Sequence, residues 1–108
     1  MKFKFSPNIA FHVRDYHKAV QFYEHVLGLK QVYHDDNETE FECGQIHLYA
    51  ENNEGGMTFF EFEVKDIDEA VTTLMENGCE AAETSTPEGD RSFLITDPFG
   101  LRFHLFEK

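Results

Sequence analysis

Residues 8–14 and 59–64 alternate apolar with polar side chains in a period of two and are rich in aromatic and β-branched residues. That pattern belongs to half-buried strands. Helical spacing follows each one: Tyr16, Ala19, Val20, Tyr23, Val26 and Leu27 after the first, Ile67, Ala70, Val71 and Leu74 after the second. Asp15 and Asp66 stand where N-caps belong, and Gly28 and Gly78 stand where a left-handed residue ends a helix. Three short strand-like runs come after each helix, at about 29–34, 39–43 and 45–50, then at about 80–84, 91–96 and 102–107. Polar turns at Asp35-Asp36-Asn37-Glu38, Pro87-Glu88-Gly89-Asp90 and Asp97-Pro98-Phe99-Gly100 separate strands within these sets.

The two stretches are copies of one another. Asn8 to Val20 overlays Phe59 to Val71 without a gap, matching Phe11 with Phe62, Val13 with Val64, Asp15 with Asp66 and Ala19 with Ala70. Ile46-His47-Leu48-Tyr49 likewise reads as Phe103-His104-Leu105-Phe106. Each copy is too small to fold alone, so the expectation is a single domain, 1–108, of class α+β. It consists of two βαβββ modules, about 1–55 and 56–108, related by a pseudo-two-fold axis. They form a concave mixed sheet with the helices on its outer face.

Strand parity sorts the side chains. Ile9, Phe11, Val13, Ile46, Leu48, Phe60, Phe62, Val64, Leu101, Phe103 and Leu105 form the set expected under the helices. The opposite parity holds Asn8, Ala10, His12, Gln45, His47, Tyr49, Phe59, Glu61, Glu63, Arg102, His104 and Phe106. A fully solvated face has no need of those aromatics, and a sealed core does not accept those charges, so a partly wet pocket is expected.

The chain has 108 residues, 41% of them hydrophobic and 12 of them Phe, enough for one core. Nine Lys and Arg against 21 Asp and Glu give a net charge of −12, which excludes nucleic acid and anionic membrane as partners. No apolar run is long enough to span a bilayer, and the Met1-Lys2-Phe3-Lys4-Phe5 start has no signal-peptide stretch, so a cytoplasmic protein is expected. Cys43 and Cys79 have no CxxC pattern and read as reduced thiols. His17, His25 and His34 are expected on the surface without a role.

Residues 11–29, FHVRDYHKAVQFYEHVLGL, and residues 97–107, DPFGLRFHLFE, resemble the vicinal oxygen chelate superfamily, also called the glyoxalase/bleomycin resistance/extradiol dioxygenase family. The resemblance implies the glyoxalase/bleomycin resistance fold and a homodimer. Members include metal-dependent isomerases, thiol transferases, ring-cleaving dioxygenases and metal-free drug-sequestering proteins, so the fold does not choose the chemistry. In metal-dependent relatives the ion is held by positions that fall here on Asn8, His47, Phe59 and His104. Only the two histidines are good ligands, because Phe59 has no donor and Asn8 offers a neutral amide.

Two functions follow as expectations. The first is a small-molecule-binding protein with a degenerate metal site and an acidic, aromatic-lined pocket for a cationic or aromatic ligand, lined by Asn8, His12, Tyr49, Phe59, Glu63, Arg102 and Phe106. In this reading His47 and His104 are hydrogen-bonded pocket residues and no cofactor is required. The second is a metal-dependent lyase, isomerase or dioxygenase in which His47 and His104 hold a divalent Fe, Mn, Ni or Zn ion that chelates vicinal substrate oxygens, with Glu61 as the catalytic base. Glu61 and Glu63 also admit a plainer reading as partners of Arg14 or Arg102. Phe59, Tyr49 and Phe106 equally admit one as packing between the halves.

Overall fold

The computed structural model describes residues 2–86 and 89–108; Pro87 and Glu88, within the turn expected at 87–90, lie outside the described residues. The order is β1 (Lys4–Val13), α1 (Tyr16–Gln21), a π-helical turn (Phe22–Val26), β2 (Lys30–His34), β3 (Glu38–Cys43), β4 (Ile46–Asn52), β5 (Thr58–Val64), α2 (Ile67–Glu76), β6 (Glu80–Ser85), β7 (Arg91–Thr96) and β8 (Arg102–Glu107). This is βαβββ twice. The chain divides into two compact units, Pro7–Phe59 and Phe60–Lys108, the second also including the residues up to Ser6.

In the Pro7–Phe59 unit the strands lie in the order β2-β3-β4-β1. β1 runs parallel to β4, placing Asn8 across from His47, Ala10 from Tyr49 and His12 from Glu51. β3 is antiparallel to β4 and pairs Glu38 with Glu51, Glu40 with Tyr49 and Glu42 with His47. The core under α1 is Tyr16, Val20, Phe41 and Ala50, with Phe11, Val13, Tyr23, Leu29 and Leu48 packed around it. Tyr23 meets Phe11 edge-on, with ring centroids 5.3 Å apart.

The second unit repeats this plan with β5-β8-β7-β6. β5 is parallel to β8, with Glu61 across from His104 and Glu63 across from Phe106, and β7 pairs Leu94 with His104. Val64, Ile67, Ala70, Phe93, Ile95, Phe103 and Leu105 form its core, and Phe3 and Phe62 pack against them. Phe5 adds a ring 5.5 Å from that of Phe62.

Most of the helix-covered set falls where alternation puts it, but Ile46, Phe60 and Leu101 are exposed. Ile46 opens β4, Leu101 directly precedes β8, and Phe60 is the third residue of β5. The six residues of α1 with the five of the π-helical turn span roughly 16 Å and the ten of α2 roughly 15 Å, against roughly 23 Å for a seven-residue strand, so the helices are shorter than the strands they pack on.

The two helix starts also differ. Asp66 is extended (φ −128°) and its carboxylate accepts the Glu69 N–H at 3.1 Å, as an N-cap does. Asp15 does not cap α1: its backbone is left-handed (φ 45°, ψ 51°) and its side chain bonds to no helix N–H. A capping side chain needs the extended backbone that Asp66 has. Both helical segments do end at a left-handed glycine, Gly28 at φ 72° and Gly78 at φ 94°. Among the described residues no helix is long and apolar enough to cross a membrane.

Candidate functional site

In the Pro7–Phe59 unit, the residues of β3 decide the character of the sheet face opposite α1. The run Glu38-Thr39-Glu40-Phe41-Glu42-Cys43 alternates strictly, and Thr39 and Phe41 are completely buried on the helix side. All three glutamates therefore share the other face. Register brings them beside Glu51, His12, His47, Tyr49 and Asn8, with Lys30 of β2 at the edge across from Glu42.

Two imidazole–carboxylate pairs organise that face. His47 Nδ1 lies 2.6 Å from Glu40 Oε2, and since the carboxylate only accepts, Nδ1 carries the hydrogen and Nε2 is the nitrogen left over. His12 Nε2 lies 3.1 Å from Glu51 Oε1. The His12 ring also sits against Phe59, centroids 4.9 Å apart, and Phe59 is only 1% exposed. Tyr49 stands between the two pairs, across from both Ala10 and Glu40.

The corresponding face of the second unit is less acidic. Glu61 Oε2 is 4.0 Å from His104 Nδ1, its register partner. Glu63 stands beside Phe106, Leu94 beside His104, and Arg102 across from Thr96. Thr84 and Ser92 share a hydroxyl–hydroxyl hydrogen bond of 2.5 Å. Of the expected site residues, the structure thus joins His12, His47, Tyr49 and Asn8 in one unit and Glu61, Glu63, His104 and Phe106 in the other.

The glutamates of β3 were not among the expected site residues, although their alternation is plain in the sequence. Attention to the first and last strands of each module leaves out the strand between them. His34 also departs from expectation, because it is engaged. Tyr16 Oη donates to the Asp35 carbonyl (2.9 Å), so the 2.7 Å bond between Tyr16 and Thr39 uses the Thr39 hydrogen. Thr39 Oγ1 must then accept from His34 Nδ1 at 2.8 Å. The His34 ring stacks parallel on Tyr16 with centroids 5.9 Å apart. Asp35 in turn accepts from Tyr33 Oη (2.7 Å) and from the N–H groups of Asn37 (2.7 Å) and Glu38 (2.9 Å). Those bonds, the Tyr33 one first, hold the Asp35 carboxyl below its ordinary range. Burial holds the Tyr16 phenol above its own; the Thr39 bond opposes this, and the nearby carboxylates, Asp35 foremost, reinforce it.

The cysteines are free thiols, and burial, with Asp97 nearby, pushes Cys79 up and away from nucleophilic chemistry.

The described residues do not fit an ion held by three protein ligands. Of the four positions the resemblance implies, Phe59 presents a buried hydrocarbon ring and Asn8 a neutral amide. No group of three or more His, Cys, Asp or Glu side chains among the described residues is arranged to hold a metal.

The fold and the repeated module agree with a family model. The Glyoxalase/Bleomycin resistance protein/Dioxygenase superfamily matches residues 7–105, and the chain belongs to that superfamily. Solved structures carry the same fold. A glyoxalase/bleomycin resistance protein/dioxygenase superfamily member from Vibrio splendidus 12B01 aligns with TM-score 0.74 at 17% identity, over 99% of this chain and all (100%) of that one. A hypothetical protein from Bacillus halodurans C-125 aligns with TM-score 0.73 at 18% identity, covering 99% and 94%. Homoprotocatechuate 2,3-dioxygenase from Brevibacterium fuscum, in complex with 3,4-dihydroxyphenylacetate, aligns with TM-score 0.73 at 21% identity, and the present chain spans 37% of its length. No curated protein matches the sequence.

Proposed function

We infer that this chain is a small-molecule-binding member of its superfamily whose ligand is a cationic or aromatic compound. The observation that carries the reading is the face built by β1, β4 and β3. There four glutamates, Glu38, Glu40, Glu42 and Glu51, surround His12, His47 and Tyr49. Carboxylates gathered beside an aromatic ring attract an organic cation, and the net charge of −12 strengthens that attraction at long range. Asn8 and Phe59 are proposed binding residues of this same face, and Glu63, Arg102 and Phe106 are proposed binding residues on the corresponding face of the second unit. The chain is taken to act as a homodimer in the cytoplasm, and a monomer mass by light scattering would remove the dimer.

The test is a thermal-shift screen of polyamines, aromatic amines and cationic glycopeptides. A true ligand at 100 times its Kd adds about 2.7 kcal/mol. Glu40→Gln with Glu51→Gln should abolish that stabilisation, and a screen with no stabilising cation overturns the reading.

A second reading has a specific observation behind it. His47 has Nδ1 hydrogen-bonded to Glu40 at 2.6 Å, the arrangement that orients an imidazole to ligate through Nε2, while His104 Nδ1 stands 4.0 Å from Glu61. In this reading the chain is a metal-dependent lyase, isomerase or dioxygenase with Glu61 as base. Protein purified without chelator or affinity tag should then hold stoichiometric metal, or take up Fe(II), Mn(II), Ni(II) or Zn(II), and lose it in His47→Ala/His104→Ala. A wild type indifferent to all four ions rejects it.

A further inference from the structure

Arg14 and Arg91 are held differently in this acidic chain. Arg91 is paired with Glu83 at 2.9 Å and Asp68 at 3.0 Å, whereas no carboxylate among the described residues lies within ion-pair distance of Arg14. Its Nε–H donates to the Glu54 carbonyl, which anchors the guanidinium and leaves its four Nη hydrogens uncommitted among the described residues.

The loop beneath is shaped for this. Asn53 N–H donates to Val13 O at 3.1 Å, Gly56 N–H to His12 O at 3.2 Å and His12 N–H to Met57 O at 2.8 Å, fastening residues 53–57 to the end of β1. Gly55 has φ 86°, and a Cβ there would lie 2.9 Å from Arg14 Cγ, so only glycine lets the side chain lie across the loop.

An open pocket of about 440 Å³ results, lined by His12, Val13, Arg14, Ala19, Tyr23, Gly55 and Gly56. Its two kinds of wall are distinct. Val13, Ala19 and the Tyr23 ring are hydrocarbon, and the Tyr23 ring is held edge-on by Phe11 and Phe41. The Tyr23 hydroxyl has no hydrogen-bond partner among the described residues.

We propose that this pocket, set by the anchored fork of Arg14 over the Gly55-Gly56 loop, is a second binding site that takes a small monocarboxylic acid with a short apolar body. The carboxylate pairs with the guanidinium fork, the geometry for which arginine is suited above lysine. The apolar body rests on Val13, Ala19 and Tyr23. A monoanion fits better than a phosphate ester, because the repulsion from a net charge of −12 grows with the charge of the ligand. The pocket adjoins the cation-binding face through His12, and the two readings are told apart by Arg14→Gln, which should abolish carboxylate binding, against Glu40→Gln, which should leave it unchanged.

The test is a titration of the ¹⁵N-labelled full chain, following backbone amides and the Arg14 Nε–H. The probes are benzoate, its neutral isostere benzamide, and phenyl phosphate. Benzoate should shift Gly55, Gly56 and Arg14 Nε–H saturably, with benzamide at least about tenfold weaker, the step expected when a charge-assisted pair is removed. Arg14→Lys should weaken benzoate by about tenfold, Arg14→Gln should abolish its binding, and Ala19→Leu should block it by filling the pocket with Arg14 intact. Equal responses to benzoate and benzamide overturn the proposal, as do shifts centred on His47 and Tyr49, undiminished binding by Arg14→Gln, or tighter binding of phenyl phosphate. Should a variant lose its dispersed spectrum, the wild-type contrast of benzoate with benzamide still decides.

Discussion

Glu40 reaches His47 along the diagonal of the β3/β4 ladder: its direct neighbour is Tyr49, while the residue directly across from His47 is Glu42. Diagonal neighbours on one face of a sheet are within reach of long side chains. The direct neighbour Glu42 is exposed, and the diagonal one fixes the imidazole.

Removing the diagonal partner should therefore change which His47 nitrogen carries hydrogen. Glu40→Ala is expected to shift His47 away from the Nδ1–H tautomer, and Glu42→Ala is expected to leave it in place. Long-range ¹H–¹⁵N spectra of the histidine ring read this directly. The stability change should stay within about 1 kcal/mol, as for partly exposed pairs generally.

The chain of hydrogen bonds from His34 through Thr39 and Tyr16 to the Asp35 carbonyl should be costly to cut. Tyr16→Phe leaves the buried Thr39 hydroxyl without its acceptor and is expected to lose about 1–3 kcal/mol. Thr39→Val should cost a similar amount and release His34 from the Nδ1–H form. Chemical denaturation and the histidine spectra check the two outcomes separately.

The same network sets a pH window. Because burial raises the Tyr16 phenol in the folded chain, the unfolded chain loses that proton first as pH rises past 10.0. The stabilisation is complete below that pH and drains away as pH climbs through the higher folded value. Asp35 behaves oppositely: its lowered carboxyl contributes above pH 3.8 and stops contributing as pH falls through the folded value. Phenolate absorbance near 295 nm should show one tyrosine ionising late, and Tyr16→Phe should remove that tyrosine from the titration.

Equivalent aspartates should respond in opposite directions. Asp15→Gly places the residue most tolerant of φ 45° at a left-handed position that the native side chain does not use for capping. It is expected to stabilise by up to about 1 kcal/mol. Asp66→Ala removes a working cap and should destabilise by about 0.5–2 kcal/mol. Melting temperatures moving in the same direction would refute the assignment.

Much of this architecture was legible in the order of residues. The gapless overlay of Asn8–Val20 on Phe59–Val71 announced two modules, and alternation set most strand limits within a residue or two of those observed, though β1 begins at Lys4, four residues before the expected start. Where reading failed, local pattern was overruled by reach. Ile46 and Leu101 have the right parity but stand at or before the starts of their strands, where the shorter helices do not reach, and Phe60 is exposed despite its parity. Asp15 has the residue type of a cap but the backbone angles of a turn. The candidate face was legible in its histidines, since a shared parity suffices to align them. The role of Glu40 was not, because it rests on a diagonal contact between strands whose register a single sequence does not state. His34 is exposed as expected, but its engagement was not legible for the same reason, its partners Thr39 and Tyr16 lying on other elements.

The π-helical turn at Phe22–Val26 has a meaning as an insertion. Leu27 N–H donates to Phe22 O at 3.2 Å, five residues back, so this turn holds one residue more than an α-helical turn would. Thirteen positions separate Asp15 from Gly28 and twelve separate Asp66 from Gly78. The first copy is longer by a single residue, and the wide turn takes it up without moving the glycine stop. Deleting Glu24, on that account, should shorten the segment to the length of its counterpart and let it close as ordinary α-helix, leaving β2 to begin where it does now.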